Sequence, residues 1–179
     1  MTYGVIRADE KNAYERLNTV RNKLKEIIIA YKIKHVLFEE VPISDKANLS
    51  VGKILCVLQG VLLSLCFEFE LTFKAISPTE WRSKVGLLRT EYSCKECGNK
   101  FEDVSGIEVI CEKCGNAKNK LFSRNPLNTR DLLKQRAVNL ANDYYNLELY
   151  FKGSSKKNED DIAESLCIWL SDKEEEADE

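Results

Sequence analysis

The feature that most constrains the fold of this chain is a set of four cysteines arranged as two pairs. Cys94 and Cys97 form one C-x-x-C pair, Cys111 and Cys114 form the other, and thirteen residues separate the two pairs. A glycine follows each pair and permits the tight turn that directs backbone amides toward the sulfur atoms. Two such turns complete a tetrahedral shell of thiolates with no position left for water. The spacing therefore predicts one structural zinc ion in a small inserted knuckle, from about residue 92 to residue 116.

The chain has seven cysteines, and the other three stand singly in apolar stretches. No apolar run reaches the length of about eighteen residues that a membrane span requires. The amino terminus lacks the basic and then apolar pattern of a secretion signal. Paired cysteines in such a chain indicate a metal site rather than a disulfide framework. We expect a cytoplasmic protein with no membrane association.

The net charge of −2 conceals an uneven distribution along the chain. Residues 82–136 contain twelve Lys and Arg against seven Asp and Glu, whereas the remainder contains fifteen against twenty-two. A zinc ion held by four thiolates would itself carry a charge of about −2 and reduce this local excess. The charge pattern is equally consistent with phosphate contacts and with an ordinary solvated surface.

The pattern of apolar residues predicts strands that alternate with helices, which is typical of an α/β layer fold. Strands are expected at 2–7, 35–40, 71–76 and 147–151. Helices are expected at 12–31, 49–67, 129–146 and 159–171. A further helix is expected to start at Ser77, because Ser77 and Glu80 form a capping box and Pro78 suits the first turn of a helix.

Three of these elements lead to more specific expectations. Helix 49–67 is apolar nearly all round, so it should be buried, either within the domain or across an interface with a second copy. Asn158 ends the polar stretch 152–158 and should cap the last helix. The acidic residues 172–179 should form a disordered tail.

Two groups of carboxylates lie far apart in the sequence. Glu39 and Glu40 end a predicted strand, where ligands usually bind in α/β sheets. Asp160, Asp161 and Glu164 begin the last helix, and the latter two share one helical face. Acidic residues at this position also stabilise the helix dipole without any further function. Together, a strand-end carboxylate and two helix carboxylates can hold Mg²⁺, which prefers oxygen ligands.

Four segments carry a resemblance to a known family: V-L-F-E-E-V (36–41), L-Q-G-V-L-L (58–63), S-P-T-E-W-R (77–82) and E-D-D-I-A-E-S-L-C-I (159–168). In this order and spacing they resemble the RuvC-type Holliday junction resolvases, closest to the phage and plasmid branch, within the RNase H-like nuclease superfamily.

The resemblance implies an α/β fold with a mixed sheet flanked by helices and interrupted by a four-cysteine zinc ribbon. On this basis the nuclease domain comprises residues 1–88 and 120–171. The zinc ribbon comprises residues 89–119, and the acidic tail comprises 172–179.

The resemblance also implies an activity, namely Mg²⁺- or Mn²⁺-dependent hydrolysis of phosphodiesters in branched DNA by a homodimer, as in DNA recombination and repair. Residue by residue, it assigns Glu39, Asp161 and Glu164 as catalytic metal ligands. Glu164 stands where the family usually has aspartate. Glu40 and Asp160 are neighbours that the resemblance does not assign.

Basic side chains in and around the zinc ribbon are candidates for phosphate contacts, which supply affinity rather than sequence choice. Two of them, Lys134 and Arg136, are predicted to lie on the outer side of their helix. The candidates are Arg82, Lys118, Lys120, Arg124, Arg130, Lys134 and Arg136.

The sequence departs from the family pattern at its start. Resolvases begin with a strand that carries a metal-bridging aspartate, whereas residues 1–7 resemble the third strand of the fold. We expect about thirty to forty residues encoded upstream of Met1, with two strands and that aspartate. Two other interpretations stay open. One is a non-catalytic module that binds nucleic acid or supports assembly, and the other is a remnant of an RNA-guided or transposon-encoded nuclease.

Overall fold

The structure is a computed structural model that describes residues 2–41, 49–104, 109–116, 121–126, 128–153, 155 and 157–177. Side chains are described throughout these ranges except at 49–51, 103–104, 121–126 and 174–177. The chain divides into two compact units, an N-terminal unit of residues 1–78 and a C-terminal unit of residues 79–179.

The N-terminal unit starts with helix α1 (Ala13–Tyr31). Its cap is Asn12, whose side-chain oxygen accepts a hydrogen bond from the backbone N–H of Tyr14 at 2.8 Å. The helix ends at Lys32, which adopts the left-handed conformation with φ of 51°. The amphipathic pattern of the sequence predicted the extent of this helix to within about one residue, whereas the cap at Asn12 emerged from the structure.

A parallel β-α-β arrangement follows α1. Strand β1 (His35–Glu39) pairs with strand β2 (Thr72–Ile76), and helix α2 (Leu49–Glu68) connects them. Glu39 lies opposite Ile76 in the register, so the carboxylate marks the carboxyl end of the parallel pair. A helical crossover of this kind is what joins parallel neighbours, because a short turn cannot.

The last turns of helix α2 are held by ion pairs to α1 and by apolar burial. Glu68 forms ion pairs with Arg21 at 2.5 Å and with Lys25 at 2.7 Å. Leu65 and Cys66 in the last turns of α2 are completely buried. The helix is therefore anchored at its carboxyl-terminal end.

The expectation that α2 is buried on most sides is wrong for this chain by itself. Ile54, Leu55, Val57 and Phe67 are 42%, 41%, 47% and 72% exposed. A helix with few charges among its exposed residues leaves apolar surface in water, which is unfavourable by about 25 cal/mol per Å².

The C-terminal unit contains a small antiparallel sheet. Along the chain, one helix precedes this sheet and two helices follow it. Helix α3 (Pro78–Lys84) begins at the predicted capping sequence. Strands β3 (Arg89–Cys94), β4 (Lys100–Val104) and β5 (Leu121–Pro126) form a three-stranded sheet with β3 in the centre. Because β5 pairs with β3, the inserted ribbon extends to residue 126, beyond the predicted end at residue 119.

Helices α4 (Arg130–Tyr145) and α5 (Asp160–Ala177) pack on each other and supply the core of this unit. Small buried residues lie at their contact, including Ala137 and Ala141 on α4 and Ala163 on α5. The thiol of Cys167 donates to the carbonyl of Ala137 across the two helices at 3.6 Å. Ala163, Leu166, Cys167 and Leu170, which share one face of α5 by helical spacing, are all buried, whereas Leu132 and Tyr144 on α4 are 43% and 57% exposed.

The strand predicted at residues 2–7 is wrong, because this segment has no regular structure. Side chains of α1 satisfy part of its backbone instead. Lys23 donates to the carbonyl of Arg7 at 2.8 Å, and Arg16 donates to the carbonyl of Glu10 at 2.8 Å. An extended segment becomes a strand only when another strand takes its backbone hydrogen bonds.

The strand predicted at residues 147–151 is also wrong, and a side chain takes the place of the partner strand. The amide group of Asn142 accepts from the N–H of Leu149 at 2.8 Å and donates to the carbonyl of Leu149 at 3.0 Å. The N–H of Tyr150 donates to the carboxylate of Glu159 at 3.0 Å. These local bonds compete with sheet formation.

Helix α5 differs from expectation at both of its ends. Asn158 does not cap α5, because its side chain accepts from the N–H of Lys152 at 2.9 Å and donates to the carbonyl of Gly153 at 2.7 Å, closing the loop. At the other end, α5 continues to Ala177, so most of the acidic segment expected to be disordered is helical.

The α/β class and the clustered cysteines are as predicted, but a single mixed sheet does not form among the described residues. The strands lie instead in one parallel pair and one antiparallel sheet of three. Among the described helices, none has the length and apolar character needed to cross a membrane.

Candidate metal centres

The four paired cysteines come together in the ribbon. Their sulfur atoms all lie within 4.8 Å of one another. Cys94 Sγ is 3.6 Å from Cys114 Sγ, and Cys97 Sγ is 3.6 Å from Cys111 Sγ. A zinc–sulfur bond of about 2.3 Å in a tetrahedron separates the sulfur atoms by about 3.8 Å. The cluster therefore has the size and the donor set of a four-thiolate zinc site.

The two halves of the cluster are built from the same turn. Gly98 N–H donates to the carbonyl of Cys94 at 3.0 Å, and Gly115 N–H donates to the carbonyl of Cys111 at 2.8 Å. Both glycines have left-handed φ angles, of 68° and 69°. A side chain at either position would be strained, which explains the glycine after each pair.

The thiols differ in their acidity because the amides of the turns and the other thiols act on them unequally. The backbone N–H of Cys97 lowers the pKa of Cys94 to about 6. Although the amide of Asn99 acts in the opposite direction, burial and hydrogen bonds with the other thiols raise the pKa of Cys97 to about 12. Although burial acts in the opposite direction, the backbone amides of Cys114 and Lys113 lower the pKa of Cys111, so both turns favour the thiolate form of their first cysteine.

An apolar cluster supports the site from behind. Tyr92, Val109 and Cys111 are buried together with Cys94, and Phe101 packs against them. The rings of Tyr92 and Phe101 stack with their centroids 5.8 Å apart. Cys114 lies on the outer side and accepts a hydrogen bond from the side-chain amide of Asn116 at 3.1 Å.

A second cluster lies at the start of α5, where Asp160, Asp161 and Glu164 each place a carboxylate oxygen within 4.8 Å of the others. Asp160 is buried, Asp161 is exposed and Glu164 is intermediate. Oxygen ligands of this kind fit Mg²⁺ or Mn²⁺. The resemblance to resolvases assigned Asp161 and Glu164 and left Asp160 as a neighbour, because helical spacing alone does not show that Asp160 also joins the cluster.

Two basic residues hold the carboxylates of this cluster. Lys134 on α4 forms an ion pair with the buried Asp160. Arg82 on α3 forms an ion pair with Glu164 at 3.0 Å. The guanidinium of Arg82 also lies over the ring of Trp81, 4.8 Å from its centroid, and Trp81 itself is completely buried as core. Three helices of the C-terminal unit therefore meet at this cluster.

Glu39 lies in the N-terminal unit, partly buried at the carboxyl end of β1. The cluster in the C-terminal unit consists of Asp160, Asp161 and Glu164. His35, at the other end of β1, has its Nδ1 atom 2.8 Å from the hydroxyl of Thr72, in keeping with a structural role.

The predicted phosphate-binding residues occupy different environments. Arg130 is exposed at the start of α4. The expectation that Lys134 and Arg136 lie on the outer side of α4 is wrong, because both are partly buried and bonded within the unit. Lys118 and Lys120 lie outside the described residues, and Arg124 belongs to β5.

Arg136 has a structural position at the base of the ribbon. Its guanidinium donates to the carbonyl of Leu87 at 3.0 Å and to the side-chain oxygen of Asn128 at 3.2 Å. Asn128 also accepts from the N–H of Arg89 at 2.9 Å. Burial, followed by the nearby charge of Arg89, lowers the pKa of Arg136 below its usual value. These bonds tie α4 to both ends of the inserted sheet.

Comparison with known proteins adds no assignment to this geometry. No protein-family model matches the chain, and no curated protein matches it either. The two candidate metal centres and the residues around them are therefore the basis for a proposed function.

Proposed function

We propose that this protein is a metal-dependent endodeoxyribonuclease of the RNase H-like, RuvC type that cuts branched DNA. The observation that carries the proposal is the acidic cluster of Asp160, Asp161 and Glu164 together with its basic neighbours Lys134 and Arg82. Acidic residues at the start of a helix are common. A buried carboxylate that is paired with a lysine from another helix costs desolvation free energy, so its presence here favours a functional site.

The chemistry follows from the ligand types. Mg²⁺ or Mn²⁺ bound here would activate water and stabilise the leaving oxygen of a phosphodiester. Asp160, Asp161 and Glu164 supply the oxygen ligands, and the resemblance to resolvases adds Glu39 as a proposed further ligand. Lys134 and Arg82 keep the carboxylates oriented and balance their charge in the metal-free protein. The zinc centre is structural, because all four of its positions are thiolates.

Cleavage of a synthetic four-way DNA junction in Mg²⁺ or Mn²⁺ tests the proposal. We expect Asp161→Asn and Glu164→Gln each to lower kcat at least about a hundredfold while junction binding in Ca²⁺ persists, since each removes one anionic ligand. Asp143→Asn, an exposed carboxylate on α4, is the matched control and should cut normally. Activity that survives in both cluster variants would refute the assignment.

Glu39 needs its own variant because it lies outside the observed cluster. Glu39→Gln should reduce cleavage as strongly as Asp161→Asn if the resemblance holds. Normal cleavage by Glu39→Gln, with Asp161→Asn inactive, would confine the metal site to the C-terminal unit.

A second candidate function is a non-catalytic nucleic-acid-binding module. It is favoured because Asp160, Asp161 and Glu164 all come from the start of one helix, where acidic residues also stabilise the helix dipole without a catalytic role. A wild-type protein that binds junctions but does not cut them in either Mg²⁺ or Mn²⁺ would support this alternative and reject the nuclease.

We further propose that the protein acts as a homodimer that uses the exposed face of α2. Over twenty residues, this helix carries one lysine, Lys53, and one glutamate, Glu68, which is already paired with α1. Its exposed face presents Cys56, Val57 and Phe67. A two-fold related copy of the same face would cover this apolar surface, as symmetric interfaces do.

A further inference from the structure

A polar cavity of about 480 Å³ opens beside the acidic cluster. The first turns of α4 contribute Arg130 and Lys134 to its wall, the loop before α5 contributes Phe151 and Ser155, and the start of α5 contributes Asp160 and Asp161. The proposed reaction uses the carboxylates of α5 and their partner Lys134, and it leaves Arg130 and the loop without a role.

The α4 wall of the cavity is basic. Arg130 and Lys134 are four residues apart and so share one face of the helix. Within the described residues, Lys134 is paired with Asp160, whereas Arg130 is exposed and forms no ion pair. The first turn of α4 adds the positive end of its helix dipole, and Asp131 is the opposing charge in the same wall.

This arrangement of charge has a consequence for a polyanionic substrate. A strand of DNA carries phosphates on both sides of the bond to be cut, and the carboxylates of α5 would repel them. A cationic wall directly beside the carboxylates offsets that repulsion and holds a neighbouring phosphate in register. The loop donors, such as the hydroxyl of Ser155, suit the same ligand.

We propose that this cavity binds the DNA phosphate next to the one that is cleaved, with Arg130 as its principal contact. The inference rests on the proposed function, since it names the part of the substrate that lies beside that site. Arg130 is a positioning residue, and its contribution is to affinity and register rather than to the chemical step.

The first test measures binding of the full-length protein to a four-way junction in Ca²⁺ at several salt concentrations. Arg130→Gln should raise Kd roughly tenfold, because it removes one charged hydrogen-bonding partner. The slope of log affinity against log salt should fall by about one. Arg7→Gln, an exposed arginine of the N-terminal unit, is the matched control and should change neither quantity.

The second test replaces single phosphates of the cut strand by neutral methylphosphonates. When the methylphosphonate replaces one phosphate adjacent to the cleaved bond, the affinity of the wild type should fall about tenfold. The affinity of Arg130→Gln should not fall further at that position. At saturating junction in Mg²⁺, Arg130→Gln should keep kcat within about twofold, and Asp131→Asn should bind as tightly as the wild type or more tightly.

The outcomes separate this inference from the proposed function. Cleavage that survives Asp161→Asn refutes the nuclease site, whatever Arg130 does. If Arg130→Gln binds like the wild type, or if its loss at the adjacent methylphosphonate equals that of the wild type, the cavity does not hold a phosphate. A protein that binds no junction at all overturns both.

Discussion

At the scale of single residues, the three cysteines outside the four-cysteine cluster differ in their exposure to solvent. Cys66 and Cys167 are buried, and burial raises the pKa of both thiols, to about 12 for Cys167. A raised pKa keeps the thiol protonated and unreactive at pH 8. In dilute, zinc-loaded protein, we expect iodoacetamide to label the exposed Cys56 at least about tenfold faster than Cys66 or Cys167.

Peptide mapping by mass spectrometry measures this difference. Denaturation in urea should remove it, because all three thiols then have the ordinary pKa. Labelling of Cys167 in the native protein at the rate of Cys56 would contradict the packing of α4 against α5.

The ion pair between Lys134 and Asp160 is the second residue-scale feature with a measurable effect. The side chains are only 18% and 9% exposed, so either charge alone would be buried without compensation. We expect Lys134→Met to lower the free energy of unfolding by about 1–3 kcal/mol in urea titrations at pH 7. The double variant Lys134→Met with Asp160→Asn should recover most of that loss, and additive losses would show that the pair does not interact.

At the scale of elements, we expect the ribbon to depend on a bound metal more than α4 and α5 do. Its apolar support is small, centred on Tyr92 and Val109, whereas the two helices have their own core. Structural zinc contributes roughly 10–16 kcal/mol of binding free energy in small zinc modules. We expect one zinc ion per chain, and we expect its removal by a chelator to unfold the ribbon, from residue 89 to residue 126, without unfolding the helices.

Hydrogen exchange resolves this prediction by segment. Amides of β3 and of the two cysteine turns should lose protection after chelation, and amides of α4 and α5 should keep theirs. Cys97→Ser should behave like the chelated protein. Reduced protein that contains no zinc at neutral pH would rule out the site.

Asn142 joins the end of α4 to the extended segment that follows. Its side chain makes both backbone hydrogen bonds of Leu149, which is itself buried. Asn142→Ala leaves those groups unsatisfied, so we expect a loss of about 1–3 kcal/mol in unfolding free energy. Asn139→Ala, an exposed position on the same helix, should change it by no more than about 0.5 kcal/mol. Equal effects of the two variants would refute the structural role of Asn142.

At the scale of the whole molecule, the exposed apolar face of α2 predicts association. We expect Val57→Glu and Phe67→Glu to weaken dimerisation at least about tenfold in sedimentation experiments, because each introduces a charge into the interface. Tyr14→Glu is the control, since Tyr14 on α1 is 79% exposed and lies outside that face. Alkylation of Cys56 should slow as protein concentration rises, and concentration-independent labelling of a monomer would refute the dimer.

Local sequence patterns were sufficient for the features that depend on neighbouring residues. The cysteine spacing predicted the thiolate cluster and the left-handed turns at Gly98 and Gly115, because the turn and its ligands lie within a few residues. The extent of α1 followed from the helical spacing of its apolar residues, and the start of α3 followed from the Ser77-Pro78 sequence. These are short-range effects of backbone geometry and capping.

Features that depend on distant residues required the tertiary structure. Leu149 bonds to the side chain of Asn142 rather than to a strand, Arg136 turns inward to the base of the ribbon, and Asp160 meets Lys134. Periodicity shows which face of an element is apolar, but it does not show what partner that face or its backbone will meet. For this reason the composition of α2 could not separate a buried helix from an exposed one, and its exposed face emerged only from the folded chain.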